Sequence, residues 1–290
     1  MENKYFDELL AGITKKYNFW LDRPSDEEHM AYLKSDANLE ICKPHILECE
    51  RLARIINAYA PQLQALKDKA SQEVVTEEYG TGGEILHRGF YCPSPVIDIV
   101  IGKGKRGKVL RRMTKKSRPT YRYGFNADEH LSLITDFRHD IDAIGTEIII
   151  REEEKEIGIG FQEWEGKQRL EQVSECVYCG DQLSTYTVGQ YFDFGFENRM
   201  TGYRKEAYVH SDEGLHTVYV YDFMEALKPN PFSRGFPEGR GPSLGHLEYK
   251  FKHEGGYLSQ FAVVDHPGSS MRLEPIWDGL VYDIRIKRKV

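Results

Sequence analysis

The chain has 290 residues, with 39 Lys and Arg against 46 Asp and Glu, a formal charge of −7, 40 % hydrophobic residues and 12 % aromatics. That content excludes a disordered chain, which could not bury enough apolar surface to offset its conformational entropy. No run approaches the ~20 apolar residues of a membrane-spanning helix, and the length fits one large domain or two small ones.

Residues 1 to about 72 carry helical periodicity. Tyr5, Leu9, Ile13 and Tyr17 recur every four residues and form one apolar stripe. Ser25-Asp26-Glu27-Glu28 has capping-box spacing, so a short helix through Met30 and Leu33 is expected next. Pro44 is placed at the start of a second helix, where a missing amide is tolerated. Ile46, Cys49, Leu52, Ile56 and Tyr59 form its apolar stripe. Pro61 ends or kinks that helix, and Leu63 and Leu66 continue it.

Gly80-Thr81-Gly82-Gly83 marks a change of regime, after which the apolar period falls from 3.6 to 2. Ile157, Ile159 and Phe161 alternate with Gly158 and Gly160. Phe192, Phe194 and Phe196 do the same around Asp193 and Gly195, and so do Tyr282, Ile284 and Ile286 around Asp283 and Arg285. These are half-buried strands joined by short polar turns such as Glu153-Glu154-Lys155. No helix-length pattern separates them, so the sheet is expected to be antiparallel.

A hairpin pattern recurs through this half. An aromatic or apolar residue, a spacer and Phe precede a polar turn and an apolar residue that opens the return strand. Tyr123-Gly124-Phe125 leads to Leu131, Ile159-Gly160-Phe161 to Leu170, Phe194-Gly195-Phe196 to Tyr203, and Tyr249-Lys250-Phe251 to Leu258. The run Tyr123 to Leu131 resembles a degenerate copy of the YD (Rhs) repeat, whose motif is aromatic-x-Tyr-Asp, two spacers and Gly-Arg-Leu. Phe125 stands for Tyr, Asn126 for Asp, and Glu129-His130 for Gly-Arg. The resemblance implies strand-turn-strand tiling and a bacterial setting of toxin shells and neighbouring antidote proteins. It transfers no catalytic residue.

Several motifs invite chemistry that their context does not support. Gly102 to Lys108 has P-loop spacing, but Val109 stands where a magnesium-binding hydroxyl is needed and no helix start follows. Gly241-Pro242-Ser243-Leu244-Gly245 has nucleophile-elbow spacing, but Leu247, Tyr249 and Phe251 continue as a strand where the elbow requires a helix. Cys176-Val177-Tyr178-Cys179 resembles one zinc knuckle, for which His87 and Cys92 are the only candidate partners at hand. His139-Asp140 and Asp265-His266 read as turn residues. No catalytic or metal residue is singled out, and no cofactor is expected.

Charge and anchor residues are more informative. Residues 103–122 hold ten bases and no acid, which leaves 29 bases against 46 acids elsewhere, a charge of −17. Lys103, Lys105, Arg106, Lys108, Arg111 and Arg112 form the first part of this island. A solvated hairpin face is its plain explanation, and an anionic partner the functional one. The loop from Lys228 to His246 is rich in Pro and Gly and carries Phe232, Arg234, Phe236 and Arg240, residue types that anchor interfaces.

The expected fold is mainly β with an N-terminal helical segment (1–78) on an antiparallel hairpin-repeat sheet or partly closed barrel (84–290). The expected function is non-enzymatic protein binding, as an immunity (antidote) protein of a bacterial toxin system. The alternatives are a nucleic-acid or other polyanion binder through 103–122, and a carbohydrate-binding or enzymatic protein with an aromatic-lined cleft. The five cysteines and an N-terminus carrying Glu2, Asp7 and Glu8 point to a cytoplasmic protein with no membrane partner.

Overall fold

A computed structural model describes residues 26–83, 87–94, 96, 107–138, 143–164, 166–192, 199–212, 214–226, 239–254, 257–265 and 280–286. Helix α1 spans Asp26–Leu33, as the Met30 and Leu33 spacing predicts. Helix α2 spans Asp36–Tyr59 and holds Pro44 in its interior, eight residues past its start. The start is set upstream by Ser35, whose hydroxyl accepts the Asn38 amide at 3.3 Å. Burial of Asn38 and Cys42 with Cys49, Leu52 and Ile56 extends the apolar stripe past the proline. Tertiary packing therefore outweighs the hydrogen bond that Pro44 forfeits. Pro61 sits in a 3-10 turn, Ala60–Gln62, before helix α3, Leu63–Glu73. The stripe from Tyr5 to Tyr17 lies outside the described residues.

The strands form one antiparallel sheet, a meander from β3 onward. They are β1 (Thr76–Thr81), β2 (Lys108–Val109), β3 (Tyr121–Phe125), β4 (Leu131–Arg138), β5 (Ala143–Glu152), β6 (Lys155–Trp164), β7 (Lys167–Cys179) and β8 (Gln182–Phe192), followed by β9 (Arg199–Ser211), β10 (Gly214–Met224), β11 (Ser243–Glu254), β12 (Tyr257–Asp265) and β13 (Leu280–Ile286). Their order in the sheet is β13-β12-β11-β10-β9-β8-β7-β6-β5-β4-β3-β1-β2, so the ladder is open and does not close into a barrel. The sheet begins earlier than the glycine run implies, because β1 runs through Gly80 instead of following it. Glu153-Glu154 makes the β5–β6 turn between the paired residues Glu152 and Lys155. Two of the recurring hairpins keep the expected pairing, Phe125 with Leu131 and Phe161 with Leu170, each beside a register shift, whereas Phe251 pairs with Phe261 and Leu258 with His253. Phe194 and Phe196 lie outside the described residues.

Both faces of the sheet's middle are covered. On one face, Ile148, Ile159, Phe161, Val173, Met200, Tyr203 and Phe223 pack with Cys42, Cys49, Leu52 and Ile56 of α2 and Leu63 and Ala70 of α3. Alternation explains the selection, since ladder partners Ile148, Ile159 and Val173 all point one way. Arg51 of α2 bonds Glu175 of β7 at 2.8 Å, and His45 lies 2.5 Å from the Tyr203 hydroxyl. Asn38 donates to the carbonyls of Leu33 and Pro242, both at 2.8 Å.

The other face is crossed by residues 87–94 and 96, the described middle of the connection between β1 and β2, which act as a strap. The ends of that connection are pinched where Gly82 and Gly107, both at positive φ, meet. A Cβ on Gly107 would stand 2.5 Å from the Thr81 carbonyl oxygen. Strap residue Val96 enters a cluster with Cys176, Tyr186, Tyr208, Val218 and Val220, while Phe90 and Tyr91 pack on Tyr121, Tyr123, Ile134 and Ile149.

Candidate functional site

The strap is fastened by ions. Arg88, at φ 61°, sends its guanidinium into the sheet face, with Nε 3.2 Å from Glu147 Oε1, one terminal nitrogen 3.2 Å from Glu156 Oε2, and the other 3.0 Å from the Ser174 hydroxyl. Ser174 donates to Glu147 at 2.8 Å, and His87 Nε2 lies 2.9 Å from the other Glu147 oxygen. The second ring nitrogen of His87 bonds the Tyr186 hydroxyl. Gly158 makes room for this cluster, since a Cβ there would stand 2.0 Å from Glu147 Oε1 and 2.2 Å from Ser174 Oγ. Burial pushes the Glu147 carboxyl up, but the neighbouring His87 ring, the Arg88 guanidinium and the bond from Ser174 outweigh it and lower it to about 2. Glu147 is therefore a carboxylate at neutral pH.

A second cluster lies further along the same face. Ser94 donates to Glu206, which is fully buried and also accepts from Tyr208 at 2.8 Å and from Arg204 at 2.7 Å. Arg204 then grips Asp222 through both carboxylate oxygens at 2.9 and 3.1 Å. Each buried carboxylate is thus paired and hydrogen-bonded, as burial of charge requires.

Between and beside these clusters runs a cavity of about 630 Å³. Its floor follows one rung of the ladder. Ile134, Glu147, Gly160, Gln172, Gln190, Gly202 and Met224 are successive partners across β4 to β10, and all seven line the cavity. Glycine at two rungs lowers the floor. The Gln172 side chain lies over Gly160, where a Cβ would stand 2.4 Å from its Cγ. Two bulged residues, Glu171 and Thr201, are the extra residues beside this rung and also line the cavity. Bulges of this kind re-aim side chains at functional surfaces. Tyr203 and Phe223 also border the cavity and pack with His45 on the helix face, and Tyr121, Ile134 and Val188 line it too, so the lining of this trough mixes apolar and polar side chains.

The residues expected to bind a partner lie elsewhere. Lys108 is in β2 at one edge of the sheet, and Arg111 and Arg112 follow it, exposed. Arg240 is half-buried just before β11, beside Gly241, which abuts the Leu33 carbonyl where α1 ends. The first three and Arg240 therefore belong to opposite parts of the ladder. Lys103, Lys105, Arg106, Phe232, Arg234 and Phe236 lie outside the described residues, as do His139, Asp140 and His266. Ser243 opens strand β11, with no helix after it. Cys176 is buried and Cys179 exposed, on opposite faces of β7, and burial pushes the Cys176 thiol up to about 12. Among the described residues no three ligating side chains gather to hold a metal ion. No described helix is long and apolar enough to cross a membrane.

No family model matches the chain, and no curated protein matches it in sequence.

Proposed function

We propose that the protein is a non-enzymatic protein-binding protein that seats an extended segment of its partner in the trough. The observation that carries this reading is the rung itself, a floor of seven residues from seven adjacent strands whose polar members are Glu147, Gln172 and Gln190. At a strand spacing of ~4.8 Å the rung is ~29 Å long. Spreading 630 Å³ over that length leaves a cross-section of ~22 Å², about one interstrand spacing on a side. That channel matches one extended chain of roughly nine residues better than a compact small molecule. Within this reading the partner is a toxin domain and the chain its immunity protein, a step supported by the YD-like run from Tyr123 to Leu131.

Affinity purification of the full chain from its host tests the reading. Wild type should recover one stoichiometric partner, and Gln190→Trp, which places a large side chain at an exposed rung position, should lose it while keeping the wild-type circular dichroism. Recovery of no stoichiometric partner, or retention of the partner by Gln190→Trp, would overturn it.

Exposure of Arg111, Arg112, Lys115 and Lys116 favours a second reading, in which this face meets a polyanion. Binding to a mixed-sequence oligonucleotide that falls steeply with salt and disappears on their replacement by Ala would support it.

A further inference from the structure

Resting on the reading of the exposed bases as a polyanion face, we infer that the loop from Leu110 to Thr120 binds the phosphate backbone of a nucleic-acid duplex, whatever its sequence. The loop is held at both ends by neighbouring residues of β1. The Leu110 amide donates to the Tyr79 carbonyl at 2.7 Å and the Thr120 amide to the Gly80 carbonyl at 2.9 Å. Its tip is a turn closed by the Ser117 amide on the Thr114 carbonyl at 3.0 Å, with Lys115 and Lys116 at the two central positions. The Thr114 amide donates to the Ser117 hydroxyl at 3.0 Å, and the Lys116 amide to the Thr114 hydroxyl at 3.3 Å. Arg111, Arg112, Lys115, Lys116 and Arg118 are exposed, and among the described residues none of the five side chains has an ion pair or hydrogen bond. Arg51, Lys67, Arg88, Lys155 and Arg204, by contrast, each meet a carboxylate.

The kind of polyanion follows from what the loop lacks. Residues 110–120 hold no acid and no aromatic, and Tyr121 and Tyr123, just beyond them, are buried. Single strands are held by bases stacked on exposed aromatic rings, and this loop offers none. Protein interfaces are centred on apolar and aromatic anchors and depleted in Lys, whereas Met113 is the loop's one exposed large apolar side chain. The same shortage leaves little to insert into a lipid surface. A duplex needs neither, because release of counterions from its closely spaced phosphates supplies the affinity. The acids of β1 beside the loop are engaged, Glu77 with Tyr79 and Arg122, and Glu78 with Tyr91. Glu153, Glu154 and Glu171 stand three to five strand intervals from β1, ~14–24 Å at ~4.8 Å each, beyond the ~10 Å screening length at about 0.1 M salt. The acidic remainder of the chain therefore does not cancel the field of the loop.

The test uses the full chain, with binding read by fluorescence anisotropy for soluble probes and by cosedimentation for vesicles. The probes are a mixed-sequence DNA duplex of about 20 base pairs, the RNA duplex of the same sequence, one DNA strand alone, polyglutamate and phosphatidylserine vesicles. One of the two duplexes should bind most tightly, and scrambling its sequence should change the affinity by less than about threefold. If about four of the five cations reach phosphates, log K should fall against log salt with a slope of about −4. Lys115→Ala with Lys116→Ala should roughly halve that slope, and so should Arg111→Ala with Arg112→Ala, each without change in circular dichroism. Equal weakening by Lys34→Ala with Lys167→Ala, two exposed lysines elsewhere on the chain, would overturn the loop as the site. Binding of the single strand, polyglutamate or the vesicles as tight as that of the duplex would overturn the duplex while sustaining a polyanion face. If no probe binds at about 0.05 M salt, the polyanion reading falls with it.

Discussion

Arg88 is the side chain on which the strap face depends. It comes from the strap, is almost fully buried, and reaches Glu147, Glu156 and Ser174 on three different strands. Arg88→Met would leave the Glu147 carboxylate facing a hydrophobic stem, and breaking a buried pair by removing one partner costs about 3–5 kcal/mol. Urea unfolding should show that loss as a lower midpoint. A change of less than ~1 kcal/mol would mean that the cluster contributes little. Glu147 also sets a pH dependence. Its folded carboxyl is lowered from 4.5 to about 2, so its stabilisation is complete above the unfolded value and is lost as pH falls from there towards 2. The shift corresponds to something on the order of 3 kcal/mol. Unfolding free energies between pH 5 and pH 2 should therefore fall less steeply in Glu147→Gln than in wild type; identical slopes would remove Glu147 as the source.

At the scale of elements, helix docking and strand register are separable problems. Docking rests on a few full contacts. Leu52 is completely buried, and Gly189 leaves space for it, since a Cβ there would stand 3.1 Å from Leu52 Cδ1. Asn38, also fully buried, ties the α1–α2 junction to the start of β11 through two carbonyls. Asn38→Ala leaves both carbonyls buried without that donor, at a cost of about 1–3 kcal/mol, visible as a lower denaturation midpoint with an unchanged m-value. The Leu52 stripe is legible in the sequence because its residues recur at helical spacing, and Ile157, Ile159 and Phe161 are legible because one face of β6 is uniformly apolar. The trough is not. Its floor takes one residue from each of seven strands, and only the register brings Glu147, Gly160, Gln172 and Gln190 side by side. Register in turn depends on bulges at Glu171 and Thr201, which no spacing in the chain announces. Arg88 is hidden for a related reason, since its partners lie 59 and 68 residues away. One signal was present: Glu147, Glu175 and Glu206 are acids inside strongly alternating strands, and each proves buried and paired.

For the whole molecule, the helices and the sheet share one apolar core, which bears on how the chain comes apart. Cys42, Cys49, Leu52 and Ile56 are covered only because β6 to β10 lie beneath them, and Ile159, Phe161 and Phe223 are covered on that face by the helices in return. The strap closes the opposite face through Arg88, Ser94 and Val96. Unfolding α2 alone would expose both sides of that core, at ~25 cal/mol for each Å² uncovered, with little entropy regained from a sheet still held together. Helix and sheet are therefore expected to unfold in one transition. Far-UV circular dichroism, which follows α2 and α3, and near-UV signals from the sheet tyrosines should give coincident urea curves. Leu52→Ala, in the range of about 2–5 kcal/mol for a buried leucine, should move both curves together. Helical signal lost at lower urea than the tyrosine signal would show instead that the sheet stands without its helices, with Ile159 and Phe161 exposed on an intact ladder.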